Sequence, residues 1–217
     1  MSRSILYGSG RRRPLAEGLT ALDRYDERCR RRAARSGSPC LPGELTLDRA
    51  TDPEHLLETL RRLAAEGGQA AGRDRIRPAD LGPREAASIA RGLSAVLRRG
   101  AYKPAGRRRV HIPKVGRPGT RAISIPTLAD RLVSAALHGL LEPTFDRTFL
   151  PGSHGFRRGR GTWGLLVALE RAAARSGTYT LAVDDVGSAF DSVPIASAME
   201  GLREHLCDPG LLALIGR

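Results

Sequence analysis

Cysteine is scarce in this chain. Cys29, Cys40 and Cys207 are the only three in 217 residues, an odd number, widely spaced and without a Cys-x-x-Cys pair. That pattern excludes a disulfide framework and a zinc site built on paired thiolates. No apolar h-region follows Met1, and no later run approaches the roughly 20 apolar residues that cross a bilayer. The expectation from these absences is a cytoplasmic protein in a reducing compartment. A Walker phosphate loop is also missing, because the glycine-rich stretch 67–72 lacks the Gly-Lys-Ser/Thr ending. There is no repeat at a solenoid period and no low-complexity tract beyond arginine runs. Acid is missing from the middle of the chain: from Arg98 to Arg121 there are nine Lys or Arg residues and no Asp or Glu.

Against these absences stand a hydrophobic content of 41% and a formal charge of +13, with a sequence pI near 11.1. The first allows a buried core for one domain or one and a half. The second favours a polyanionic partner, nucleic acid first and an anionic membrane surface second.

Taken in order, residues 1–13 form a basic leader, and leucines at helical spacing from Pro14 predict a helix to about Arg35. Its Cys29-Arg30-Arg31-Arg32 end is either a helix terminus favoured by the macrodipole or an RNA contact. A second helix begins at Thr51-Asp52-Pro53-Glu54, a capping side chain ahead of a first-turn proline, and runs to about Glu66. A third covers Pro83 to about Arg99 and stops at Gly100. Residues 107–114 and 121–126 then read as two short strands joined through a Gly/Pro-rich connection. Such a ribbon can lie along a phosphate backbone, clamp a triphosphate, or carry its charge only to protect an exposed edge. Thr127-Leu128-Ala129-Asp130 resembles a capping box with Asp in place of Glu, opening a helix to about Leu141. The irregular stretch 143–160 contains Phe156 among glycines and arginines, an aromatic placed to stack on a base. A helix over 162–175 follows.

The stretch that organises the chain is Thr180-Leu-Ala-Val-Asp-Asp-Val-Gly-Ser-Ala-Phe-Asp-Ser-Val193, an apolar strand that delivers carboxylates and then turns. Acids at a strand end are the ligand type that holds Mg²⁺ against a substrate phosphate. From Ser176 to Gly210 there are six acids against Arg203 alone, so a basic front half meets an acidic tail region. A metal ion acting on a polyanion needs that layout, because it neutralises carboxylates that would otherwise repel the substrate.

In this order the pieces resemble the N-terminal part of a reverse transcriptase of the group II intron and bacterial retroelement kind. The matching text is Gly72-Arg73-Asp74, Gly100-Ala-Tyr-Lys-Pro104, Arg109-Val-His-Ile-Pro-Lys114, Arg121 to Arg131, Leu141-Glu-Pro-Thr-Phe-Asp146, Ser153 to Arg160, and Asp185 to Asp191. The resemblance implies an α+β fold: the fingers and part of the palm of a right-hand polymerase, mostly helical with a basic β-hairpin and one palm strand. The expected division is a basic N-terminal extension with a helix over 1–50, a fingers-like region over 51–175, and over 176–217 a palm cut short after its first catalytic motif. The resemblance further implies RNA-directed DNA synthesis by two-metal transfer, with an RNA template, a DNA primer and dNTP. Lys114 and Arg121 would hold the triphosphate. Asp185, helped by the Val186 carbonyl, would bind Mg²⁺, with Asp184 the alternative by position. Phe190 would be the gate against a ribose 2′-OH. Arg107 and Arg109 would lie on nucleic acid, and Arg157 and Arg160 would contact template or brace the fingers.

After Asp191 the sequence contains no Tyr-x-Asp-Asp hairpin. Two Mg²⁺ ions about 4 Å apart need several carboxylates. The expectation is therefore a chain inactive alone, a non-catalytic RNA-binding module, or one half of a split enzyme whose second polypeptide supplies the rest of the palm.

Overall fold

The structure, a computed structural model, describes residues 44–116, 118–177, 180–187 and 192–217. The helix expected over 14–35 and the Phe190 and Asp191 side chains lie outside the described residues. The described chain divides into two units: residues 44–144 with Ile195–Arg217, and Phe145–Pro194.

In the first unit, the short α1 (Leu47–Ala50) leads into α2 (Pro53–Glu66). The Asp52 carboxylate accepts from the His55 N–H at 2.8 Å and Pro53 fills the first turn, so α2 starts where its sequence signals it. At its other end, the Gln69 amide donates to the carbonyls of Leu63, Ala64 and Gly67 at 3.2, 3.1 and 2.9 Å, satisfying acceptors that a helix terminus leaves open. α3 (Pro83–Arg98) opens with the Glu85 carboxylate accepting from the Gly82 N–H and closes at Gly100, whose φ of +65° suits glycine. The hairpin strands β1 (Arg108–Pro113) and β2 (Thr120–Ile125) pair antiparallel, with Arg108 opposite Ile125 and Pro113 opposite Thr120.

α4 (Leu128–Phe145) runs four residues beyond the expected end, taking Pro143 into its last turn. The apolar stripes of α2, α3 and α4 meet in one core in which Leu56 and Leu132 are fully buried, each contributing about 1.5–3 kcal/mol. The predicted capping box is only half made. Thr127 Oγ1 accepts from the Asp130 N–H at 3.3 Å, but the Asp130 carboxylate turns to Tyr102 and Ala105 instead of back to the cap.

The chain's last helices, α6 (Ile195–Arg203) and α7 (Pro209–Ile215), belong to this unit, and Leu214 joins its core. Asp208 makes the connection. Its carboxylate caps α7 at the Leu211 N–H and accepts from the Leu47 N–H of α1, both at 2.9 Å. Burial works against the charge on Asp208, but the N–H groups of Leu47, Leu211 and Gly210 outweigh it and hold the carboxyl below its usual range.

The second unit comprises the irregular stretch from Asp146 to Gly161, then α5 (Thr162–Ser176), which ends in left-handed Gly177. The strand expected at 180–184 is not formed. A strand exists through its ladder, and among the described residues only β1 and β2 pair. Leu181, Val183 and Val186 are 62, 70 and 72% exposed, so packing does not hold this segment either.

Candidate functional site

The hairpin is a basic ribbon because its sequence alternates. Residues directly opposite share a face, so Arg108, Val110, Ile112, Arg121, Ile123 and Ile125 lie on one side and Arg109, His111, Ala122 and Ser124 on the other. Val110, Ile112 and Ile125 are half-buried, whereas Arg107, Arg109 and Arg121 are exposed. The register extends one step past the strands: the Lys114 N–H donates to the Gly119 carbonyl at 3.0 Å. Lys114 and Arg121 are thus diagonal neighbours across the ladder, a relation that spans about 7–8 Å. Gly116 and Gly119, with φ of +69° and +102°, provide the turn.

The base of this ribbon is held by groups that lie far apart in the chain. The Tyr102 hydroxyl donates to Asp130 Oδ1 at 2.7 Å, and the same carboxylate accepts from the Ala105 N–H at 3.1 Å to Oδ2. Burial, reinforced by the Asp130 carboxylate, pushes the Tyr102 phenol far above its usual range. Arg217 donates to the carbonyls of Gly100 and Tyr102 at 2.8 and 2.6 Å, fastening the C-terminal residue beneath the approach to β1. On the other side, Arg108 Nε donates to the Ala71 carbonyl at 2.9 Å. Gly72 packs so closely on Pro126 that a Cβ would collide with its carbonyl, and Asp74 Oδ2 accepts from the Leu128 N–H at 2.5 Å. Asp74 is therefore a helix cap for α4 supplied from 54 residues away.

In the second unit, Arg157 is buried and committed. Its guanidinium makes a two-pronged pair with Asp146 at 2.6 and 3.2 Å and donates to the carbonyls of Asp146, Leu150 and Ser153 at 2.7, 3.1 and 3.0 Å. It also lies 5.3 Å from the centre of the Phe149 ring. These contacts make Arg157 the hub of its loop. Arg160 is half-buried and donates to the Pro151 carbonyl at 2.6 Å. Phe156, in contrast, is 92% exposed with a φ of +55°, a conformation uncommon for an aromatic residue.

Asp184 and Asp185 are consecutive and exposed, and Val186 follows them in the same exposed segment. Among the described residues no three carboxylates, histidines or cysteines converge on a metal position. A two-ion site needs several carboxylates, so the described residues do not by themselves fit one. Among the described residues no helix is long and apolar enough to cross a membrane.

Residues 112–215 match the family model described as reverse transcriptase (RNA-dependent DNA polymerase). This match, together with similarity to a group II intron-encoded protein, supports a reverse transcriptase domain over those residues. The match implies a polymerase fold and includes Lys114, Arg121, Arg157, Arg160 and Asp185; it begins inside β1, so Arg107 and Arg109 precede it. The chain is 30% identical over 182 residues to Protein YkfC of Escherichia coli strain K12, covering 82% of this chain and 47% of that protein. It is 31% identical over 97 residues to the group II intron-encoded protein LtrA of Lactococcus lactis subsp. cremoris, covering 45% of this chain and 16% of that protein. The chain thus spans about half the length of the first of these two relatives and a smaller share of the second.

Proposed function

We propose that the chain serves RNA-directed DNA synthesis, with the 108–125 hairpin as the fingers element that receives the incoming nucleotide. The observation that supports this most directly is the diagonal placement of Lys114 and Arg121 at the tip of a ribbon within a reverse transcriptase sequence. A lysine supplies a compact charge and an arginine a planar fork, a pairing suited to the oxygens of a triphosphate. Arg107 and Arg109, exposed at the start of β1, contact the template strand in this reading. Arg160 contacts template or braces the fingers in this reading, and Arg157 holds the shape of the loop that carries it. Asp185, with the Val186 carbonyl, is one ligand for Mg²⁺, and further carboxylates are needed to complete the site. Phe190 limits the sugar edge of the nucleotide.

Nucleotide binding tests this reading. A fluorescent dNTP should bind the 217-residue chain and lose affinity about tenfold in Lys114→Ala and in Arg121→Ala, since each removes a charge-assisted contact. Unchanged binding in both variants would refute the triphosphate assignment.

A second reading, an RNA-binding module without catalysis, is favoured by the lack of converging metal ligands among the described residues. It requires RNA binding that survives Asp185→Ala and falls steeply with salt. Nucleotide affinity lost in the Lys114 and Arg121 variants separates the first reading from this one.

A further inference from the structure

A cavity of about 360 Å³ opens at the root of the hairpin, lined by the 69–72 turn and by Arg75, Arg77 and Arg108. It lies at the far end of the ribbon from Lys114, six residues or about 20 Å along an extended strand. None of these three arginines has a role in the reading above.

Three features of the cavity point to an anion. The first is uncompensated charge. Among the described residues no carboxylate pairs with Arg75, Arg77 or Arg108, while the neighbouring Asp74 carboxylate is occupied by the Leu128 and Ile76 N–H groups. Three exposed arginines thus line one cavity with no carboxylate paired to them, and an anion bound there would offset their mutual repulsion.

The second is backbone strain. Arg75 has a φ of +59° and donates its N–H to the Gly72 carbonyl at 3.3 Å, closing a tight turn. Glycine would occupy that conformation without cost, and a side chain held there is the kind of strain that accumulates at ligand clamps.

The third is rigidity. Gln69 spends its amide on α2 and accepts from the Ala79 N–H at 3.1 Å, Arg131 donates to the Gly68 carbonyl at 2.6 Å, and Gly72 is wedged against Pro126. Arg108 is tethered through Nε to the Ala71 carbonyl, which leaves its two terminal nitrogens for a ligand. The backbone of the wall and the Arg108 side chain are thus held before a ligand binds, while the exposed Arg75 and Arg77 side chains order on binding, so only part of the ordering cost remains.

We propose that this cavity is a phosphate-binding site, formed by Arg75, Arg77 and Arg108, that holds a phosphate group of a nucleic-acid strand or of a free polyphosphate. It goes beyond the nucleotide assignment at the hairpin tip and does not depend on it.

The test compares the full chain with Arg75→Gly, Arg77→Ala and Arg108→Ala, and with Arg84→Ala and Arg91→Ala, which remove the same charge from exposed positions on α3. The probes are a short single-stranded oligoribonucleotide and inorganic tripolyphosphate, each titrated across a range of salt. Each cavity variant should weaken oligonucleotide binding about tenfold and reduce the salt slope by about 1, with both α3 variants within about twofold of the parent. Arg75→Gly should also raise the melting temperature, because it relieves the strained backbone while removing the ligand contact. Tripolyphosphate binding that disappears in the same variants supports a site that accepts free phosphate. Oligonucleotide loss without tripolyphosphate binding supports strand-borne phosphate. Equal losses in the α3 variants, or parental binding in the cavity variants, overturn the proposal, since bulk charge would then account for all binding. The tripolyphosphate titrations are made in a Lys114→Ala background, which removes the hairpin-tip clamp and leaves the cavity intact, so failure of the hairpin assignment and failure of this one are distinguishable.

Discussion

Asp130 and Asp146 are two acids whose partners decide what they do. Asp130 is buried and accepts from Tyr102 and Ala105, so its charge is met by donors from the segment that leads into β1. Tyr102→Phe removes the shorter of these bonds and leaves the carboxylate undersatisfied, which should cost about 1.5–3 kcal/mol in denaturant unfolding. Asp146 is paired with the buried Arg157, whose guanidinium holds the Asp146 carboxyl below its usual range despite opposing desolvation. A depressed folded pKa means the pairing contributes fully above the ordinary carboxylate value of about 4 and is lost as pH falls through the lowered folded value. Amide exchange in 146–160 should therefore accelerate at acid pH below that range, and Asp146→Asn should show the acceleration already at neutral pH. Arg157→Lys should open the loop as well, because an ammonium cannot reproduce the fork that reaches Asp146, Leu150 and Ser153 together.

At the scale of elements, local signals and distant contacts contributed differently. The starts of α2 and α3 were legible because their caps, Asp52 with Pro53 and Glu85 with Pro83, lie within one turn of sequence. The hairpin was legible from alternation and turn glycines. The start of α4 was legible and Thr127 makes its half of the cap, but the rest of the cap was not: Asp74 reaches the Leu128 N–H across 54 residues, and Asp130, read as the other half of a capping box, serves Tyr102. Gly72→Ala should destabilise the unit by about 1–3 kcal/mol, since the added methyl meets the Pro126 carbonyl and overpacks the seam between the two motifs. Asp208 joins α7 to α1 in a similar way. Asp208→Ala should cost about 1–2 kcal/mol in thermal or urea unfolding, and the parent chain's margin over it should shrink below pH 4 as the carboxylate protonates.

For the whole molecule, the test is catalysis. The 217 residues alone, with Mg²⁺, an RNA template and a DNA primer, are expected to give no primer extension; robust synthesis abolished by Asp185→Ala would show this expectation wrong. The sequence by itself determined the basic character of the chain, the helices α2 to α5, the hairpin, and the order of motifs that matches reverse transcriptases, because each rests on composition, periodicity or residues close together in the chain; the helices α1, α6 and α7 it did not indicate. It also proposed a palm strand at 180–184, which the tertiary structure does not form, since a strand needs a partner that local sequence cannot supply. Only the tertiary structure decided that Arg157 is a buried hub, that Tyr102, Asp130 and Arg217 brace the approach to β1, and that Arg75, Arg77 and Arg108 share one cavity. Those outcomes depend on which distant groups are brought within hydrogen-bonding reach. The Tyr102 and Arg217 contacts join residues 28 to 117 positions apart, beyond any local window, whereas Arg157 reaches partners within 11 residues that only the closing of its loop aligns.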